Sequence, residues 1–210
     1  MKFYDPERLK TAPLSSIPFA MYQLEEDDKD ILLNYCKALQ NEPTRRSVAA
    51  DVPHNSEELY IATADITNTI GCYVMPSMKD IAGQIPPNYR WGIRDTYLQC
   101  KKKGEFVPPF SSGYSDFSFA CIVNVPFDVE EEMAMPHCKD VSNPSASKFQ
   151  LIYPSPLSKV SFQDFVFSKS DEGMIIVYPS AVNAQVFPFA TTDEDQYIVW
   201  GSVVAQEGTP

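Results

Sequence analysis

A chain of 210 residues with 44% hydrophobic residues is long enough to bury one sizeable core. Its net charge of −11 and pI of about 4.6 disfavour phosphate backbones and anionic lipid as partners. No apolar run approaches the roughly 20 residues that cross a bilayer, and Met1-Lys2-Phe3-Tyr4-Asp5-Pro6 lacks the apolar stretch of a signal peptide. Neither direct nucleic-acid binding nor membrane association is expected.

Residues 1–16 read as an extended arm, because Pro6 and Pro13 limit helix and Ser15-Ser16 closes the segment. Residues 17–24 read as a strand. Glu25 to Asp28 place carboxylates where a helix dipole favours them, and the helix they open runs to about Gln40. Leu32, Tyr35, Cys36 and Leu39 form its apolar stripe, which suits packing on a sheet. Residues 41–87 carry weak signals: Ser56 to Ile61 suits a short helix, and Met78 to Ala82 one more helical turn.

Strand signals dominate from Trp91 onward. Phe117, Phe119, Cys121, Val123, Val125 and Phe127 alternate strictly, with Ser118 and Asn124 on the opposite side. Asp128 to Met135 reads as an acidic loop or short helix. Further strands are expected over 149–153, 160–167, 174–178, 185–189 and 197–204. The apolar period shifts by one between Phe162 and Phe165, which predicts a bulge. Lys169 to Gly173 reads as a hairpin-type turn. So many strands after one early helix predict a mainly β, antiparallel double-stranded β-helix, or jelly roll. The expected layout is the arm 1–16, one domain over 17–204 with one or two buttressing helices, and a tail 205–210.

Chemistry-bearing residues are sparse. The cysteines, Cys36, Cys72, Cys100, Cys121 and Cys138, are odd in number and form no C-x-x-C, which suits free thiols in a reducing compartment. The basic runs Arg45-Arg46 and Lys101-Lys102-Lys103 read as ordinary solvated faces. His54 sits in a loop-like stretch. His137-Cys138 follows Glu130 to Glu132, but adjacent residues rarely hold one zinc ion together, so surface loop is the better reading. There is no phosphate-cradling glycine loop and no dinucleotide fingerprint.

Four stretches carry a resemblance. They are Lys103-Gly104-Glu105-Phe106-Val107-Pro108, Ser115-Asp116-Phe117-Ser118-Phe119-Ala120 followed by Val125-Pro126, Gly173-Met174-Ile175-Ile176-Val177-Tyr178-Pro179-Ser180, and Asn183-Ala184-Gln185-Val186-Phe187-Pro188-Phe189. Through them the segment from about Trp91 to Val204 resembles the small phage and bacterial 2-oxoglutarate, iron(II)-dependent oxygenases. That family holds iron on two imidazoles and a carboxylate, and an arginine opening the last strand grips the co-substrate. The resemblance puts Phe110, Ser112 and Ala184 at the three ligand positions and Gln196 near the arginine position. Phenyl and methyl groups cannot ligate iron, a serine hydroxyl is a poor ligand, and a glutamine lacks the charged, bidentate grip of arginine. Ser111-Ser112-Gly113 has no histidine base near it in such a fold.

The resemblance therefore implies the fold without a metal, a cofactor or catalytic residues. The resulting expectation is a chain that is not an enzyme but a non-catalytic phage structural or interaction protein. It would be a virion subunit of neck, tail or capsid surface, assembled in the host cytoplasm. It would form a homo-oligomer with other virion proteins as partners, its arm contributing Phe3, Tyr4, Leu9 and Leu14 to contacts. The alternative is an accessory enzyme or small-molecule binder that uses a pocket rebuilt around Phe110, Ser112, Ala184 and Gln196.

Overall fold

The computed structural model describes residues 10–14, 17–41, 58–82, 88–139, 141–142, 144, 146–154 and 160–207. These residues form two antiparallel sheets. The larger has seven strands, in the order β1 (Lys10–Leu14), β2 (Ile17–Gln23), β9 (Met174–Pro179), β6 (Phe117–Ile122), β11 (Gln196–Glu207), β4 (Tyr89–Lys101) and β3 (Glu58–Ile61). The smaller has four, in the order β5 (Val107–Phe110), β10 (Asn183–Val186), β7 (Lys148–Pro154) and β8 (Val160–Val166). From β4 onward the chain winds between the sheets, which is the expected double-stranded β-helix.

Alternating side chains on the strands feed two cores. On the outer face of the large sheet, Leu98 and Cys100 of β4, Phe119 and Cys121 of β6, and Val199 and Val203 of β11 meet two helices. These are α1 (Glu26–Gln40), which contributes Leu32, Cys36 and Leu39, and α2 (Ala64–Ile81), which contributes Ile66, Ile70, Val74 and Met78. Between the sheets, Ala120, Ile122, Ile176, Ile198 and Trp200 meet Val107, Phe149, Leu151, Ala184 and Val186. Tyr35, assigned to the buried stripe of α1, is 37% exposed.

The fold departs from expectation at several places. Residues 10–14 of the expected arm pair with β2 as a strand; residues 1–9 and 15–16 lie outside the described residues. Glu58–Ile61 is a strand against β4, not a helix. Residues 64–81 form one 18-residue helix where only its last turn was anticipated. Gly71 and Pro76 mask the signal, yet Ile66, Ile70, Val74 and Met78 recur every four residues, and Thr63 caps the start by accepting from Ile66 N. The bulge expected in β8 is absent, since its register with β7 is continuous. Phe162 is 57% exposed and Phe165 buried, so the two phenylalanines occupy opposite faces of an edge strand. A bulge occurs instead in β4, where Arg94 is the extra residue between Ile93 and Asp95 opposite β11. Lys169 to Gly173 is a crossover from the small sheet to the large one, with Gly173 at φ +81°. Asp128 to Met135 resolves as α3 (Val129–Ala134), with Asp128 as its cap. Residues 205–207 extend β11.

Gly201 sits mid-strand in β11, where a Cβ would collide with the Phe119 ring and stand 2.8 Å from Asp95 O. Gly201→Ala is therefore expected to destabilise the fold by about 1–3 kcal/mol, read as a lowered melting temperature; an unchanged one would refute this packing.

Candidate functional site

The interior between the sheets is the place where the sequence put the site, and Phe110 and Ala184 do face each other there, in register across β5 and β10. The Phe110 ring meets Trp200 edge-on with centroids 4.8 Å apart, and Trp200 stacks on Phe149 at 5.8 Å. The indole Nε1–H donates to Gln99 Oε1 at 2.7 Å, so the one polar atom of this aromatic layer is satisfied.

Ser112 lies two residues beyond β5, at the barrel mouth. Its hydroxyl joins those of Ser115, Ser118 and Ser180. Ser115 and Ser180 are 2.7 Å apart, and Ser118 and Ser180 2.9 Å. The loop is pinned by Asp116 N donating to Val203 O at 3.1 Å and Ser180 N donating to Asp116 O at 3.1 Å. Arg94 Nη1 donates to Tyr114 O at 3.0 Å, and Tyr114 itself is 92% exposed at the rim. No carboxylate or imidazole among the described residues bonds these hydroxyls, so the cluster is a hydrogen-bonding surface and not an activated nucleophile.

The residues present do not fit an iron triad. Phe110 and Ala184 have no donor atom, and Ser112 spends its hydroxyl on three other serines. Among the described residues no three of His, Cys, Asp and Glu are grouped to hold a metal ion. His137 is exposed in the turn after α3 and Cys138 is buried; His54 lies outside the described residues.

Gln196 is at the other end of the barrel, four residues before Trp200. It is buried, its Oε1 has no hydrogen-bond partner among the described residues, and Lys101 stands opposite it in register. Lys101 corrects the reading of 101–103 as a solvated face. Lys102 and Lys103 are exposed, but Lys101 is fully buried. Its Nζ donates to Phe187 O at 2.8 Å and lies 4.5 Å above the Phe189 ring. Burial pulls this ammonium down to about 7, although Glu105 and Glu132 nearby favour its charge.

Glu132, from α3, is fully buried as well. Its Oε1 accepts from Ala190 N at 2.8 Å, Thr191 N at 2.7 Å and Thr191 Oγ1 at 2.6 Å. Burial pushes the carboxyl up, but these bonds outweigh it and hold it below the usual range. Ser147 is a further neighbour that favours the charged carboxylate, although its Oγ and Glu132 Oε2 fall outside strict hydrogen-bond geometry among the described residues. Ser147 N donates to Pro188 O and Gly104 N to Phe189 O, both at 2.8 Å. Residues 187–191 thus close the deep end, and the polar side chains beneath them are left incompletely bonded. Alternation in β4 was the available signal: Leu98 and Cys100 face the helices, so Gln99 and Lys101 must face inward.

Two outcomes follow from this geometry. Phe110→Ala should cost about 3 kcal/mol, the low end for a phenylalanine because the ring is only partly buried; unchanged melting would place the ring in solvent. Lys101, held near 7 against an ordinary 10.5, binds its proton less tightly folded than unfolded. Stability should therefore rise with pH above about 7, by at most about 1.4 kcal/mol per unit. Burial holds the Cys36 thiol up at about 12, and raises Cys121 too, so both oppose this trend above about 9. Denaturant melts between pH 7 and about 8.5 should show the rise in the native chain and a flat profile in Lys101→Met.

No family model matches the chain, and no curated protein matches it in sequence. Solved structures do match in shape. A Pseudomonas putida prolyl-4-hydroxylase aligns with a TM-score of 0.56 and 10% identity, covering 91% of this chain and 94% of its own. A Trichoplax adhaerens prolyl hydroxylase, in complex with a hypoxia inducible factor peptide fragment, aligns at 0.58 and 12%, covering 90% and 83%. The viral collagen prolyl hydroxylase of Paramecium Bursaria Chlorella virus-1 aligns at 0.53 and 9%, covering 95% and 97%. The expectation of a chain that is not an enzyme is corrected by these matches, because the shared architecture is that of hydroxylases and not of a particle subunit. At such identities the likeness concerns the fold, and the fold is the double-stranded β-helix of the 2-oxoglutarate oxygenases.

Proposed function

We propose that this chain is an enzyme with a rebuilt oxygenase-type barrel, taking a small carboxylate-bearing molecule between its sheets. The observation that carries this reading is Lys101. A barrel that served only as packing would gain by filling its deep end with apolar groups, since a buried ammonium without a bonded carboxylate costs several kcal/mol. Here the ammonium has one carbonyl acceptor and stands opposite a glutamine whose oxygen has no hydrogen-bond partner among the described residues. A ligand carboxylate would supply the missing acceptor and counter-charge.

In this reading Lys101 holds the carboxylate and Gln196 accepts a donor from the ligand. Phe110 and Trp200 form the apolar wall. Phe110, Ser112 and Ala184 do not hold iron, so no step runs through a metal. The similar viral enzyme was solved as a 2OG complex, which makes 2-oxoglutarate the first ligand to test. A virion location, and homo-oligomeric or virion-protein partners, rest on the phage side of the resemblance alone and form no part of this proposal.

Thermal melting with 2-oxoglutarate, succinate or glutarate tests the reading. A ligand at 100 times its Kd adds about 2.7 kcal/mol, a shift of several degrees. At least one dicarboxylate should produce it in the native chain and none in Lys101→Met, and NMR should show that ligand being consumed. Equal shifts in both proteins, or none in either, would refute the carboxylate site. Binding without consumption would leave a binding protein.

A further inference from the structure

The outer margin of the small sheet carries an inference that does not depend on the carboxylate site. The described sheets end on four strands, β1 and β3 in the large one and β5 and β8 in the small one. β1 holds Pro13, β3 is four residues long, and β5 holds Pro108 and Pro109. Shortness and missing N–H groups protect a sheet edge from pairing with another chain. β8 has neither protection. Its seven residues include no proline or glycine, they pair with β7 in continuous register, and no described strand lies beyond them. Such an edge presents a row of backbone donors and acceptors.

The side chains of β8 sort by face. Phe165 turns into the barrel core, so Val160, Phe162, Asp164 and Val166 share the outer face. The three apolar members of that set are exposed. Asp164 stands among them, paired with Lys148 at 2.9 Å. The lysine side chain is 3% exposed and the aspartate 30%, so the acid is the half of the pair that meets solvent. Charge then decides which strand fits beside β8. A second copy of this chain brings the same acid and another −11 of net charge, whereas a basic segment is drawn in by both.

We propose that β8 is the docking edge for an extended, basic segment of a partner protein, which adds a strand to the small sheet. Main-chain hydrogen bonds to β8 would supply the affinity, and alternate side chains the choice of partner. An arginine opposite Asp164 would meet the open side of its carboxylate. Apolar residues two positions to either side would cover Phe162 and Val166.

Fluorescence anisotropy with the labelled peptide Thr-Val-Thr-Arg-Thr-Val-Thr tests this on the full chain. The native protein should bind it saturably. Binding should weaken at least tenfold when glutamate replaces the peptide's arginine, and vanish when prolines replace the two threonines beside it. Phe162→Thr should also weaken binding at least tenfold without lowering the melting temperature, since the ring is exposed; Val166→Thr serves if that variant does not fold. Absence of saturable binding, equal binding of the arginine and glutamate peptides, or undiminished binding in the folded variants would overturn the proposal. Sedimentation of the native chain as a dimer that Phe162→Thr dissolves would overturn it too, because the edge would then belong to a second copy.

Discussion

Everything in this molecule hangs on the two-sidedness of β11. Its 12 residues pair with β4 along their whole length and with β6 along half of it. Val199 and Val203 anchor the helices on one face, while Ile198 and Trp200 fill the barrel on the other. A slip of one residue would exchange the two sets and ruin both cores at once. Gly201 marks how tight the arrangement is, because the Phe119 ring of β6 occupies the space a side chain would need.

The same strand ties the two ends of the barrel together. At one end, Ser202 donates to Asp95 near the hydroxyl cluster. At the other, Gln196 and Lys101 sit beneath residues 187–191. The aromatic layer of Phe110, Trp200 and Phe149 lies between. Polarity at both ends with an apolar middle is a poor recipe for stability, since dehydration of Lys101 and Glu132 is recovered only through partial bonding.

Much of the fold was legible in the sequence because the strands of a jelly roll leave a period of two. Phe117, Phe119 and Cys121 showed it plainly, and Phe110 and Ala184, which the resemblance put at ligand positions, pair across β5 and β10. The helix α2 was hidden because Gly71 and Pro76 are read as breakers, although tertiary packing of Ile66, Ile70, Val74 and Met78 overrides them. Lys101 was hidden for another reason. In a run of three lysines the eye assigns one solvated patch, whereas the strand turns alternate residues inward whatever their charge. The serine cluster could not be seen at all, since Ser112 and Ser115 of one loop, Ser118 of β6 and Ser180 of the turn after β9 meet only in the fold.

The small sheet has two open margins, and each is guarded by a different chemistry. On β5, Pro108 and Pro109 offer no N–H, so an approaching strand finds an interrupted ladder. On β8, Val160, Phe162 and Val166 stand exposed, a row that invites stacking of one molecule on the next. Asp164 interrupts that row, held in place by Lys148 at 2.9 Å and Gln150 at 2.5 Å. That ion pair in the middle of an apolar margin acts as a gatekeeper against aggregation, and the net charge of −11 adds to it.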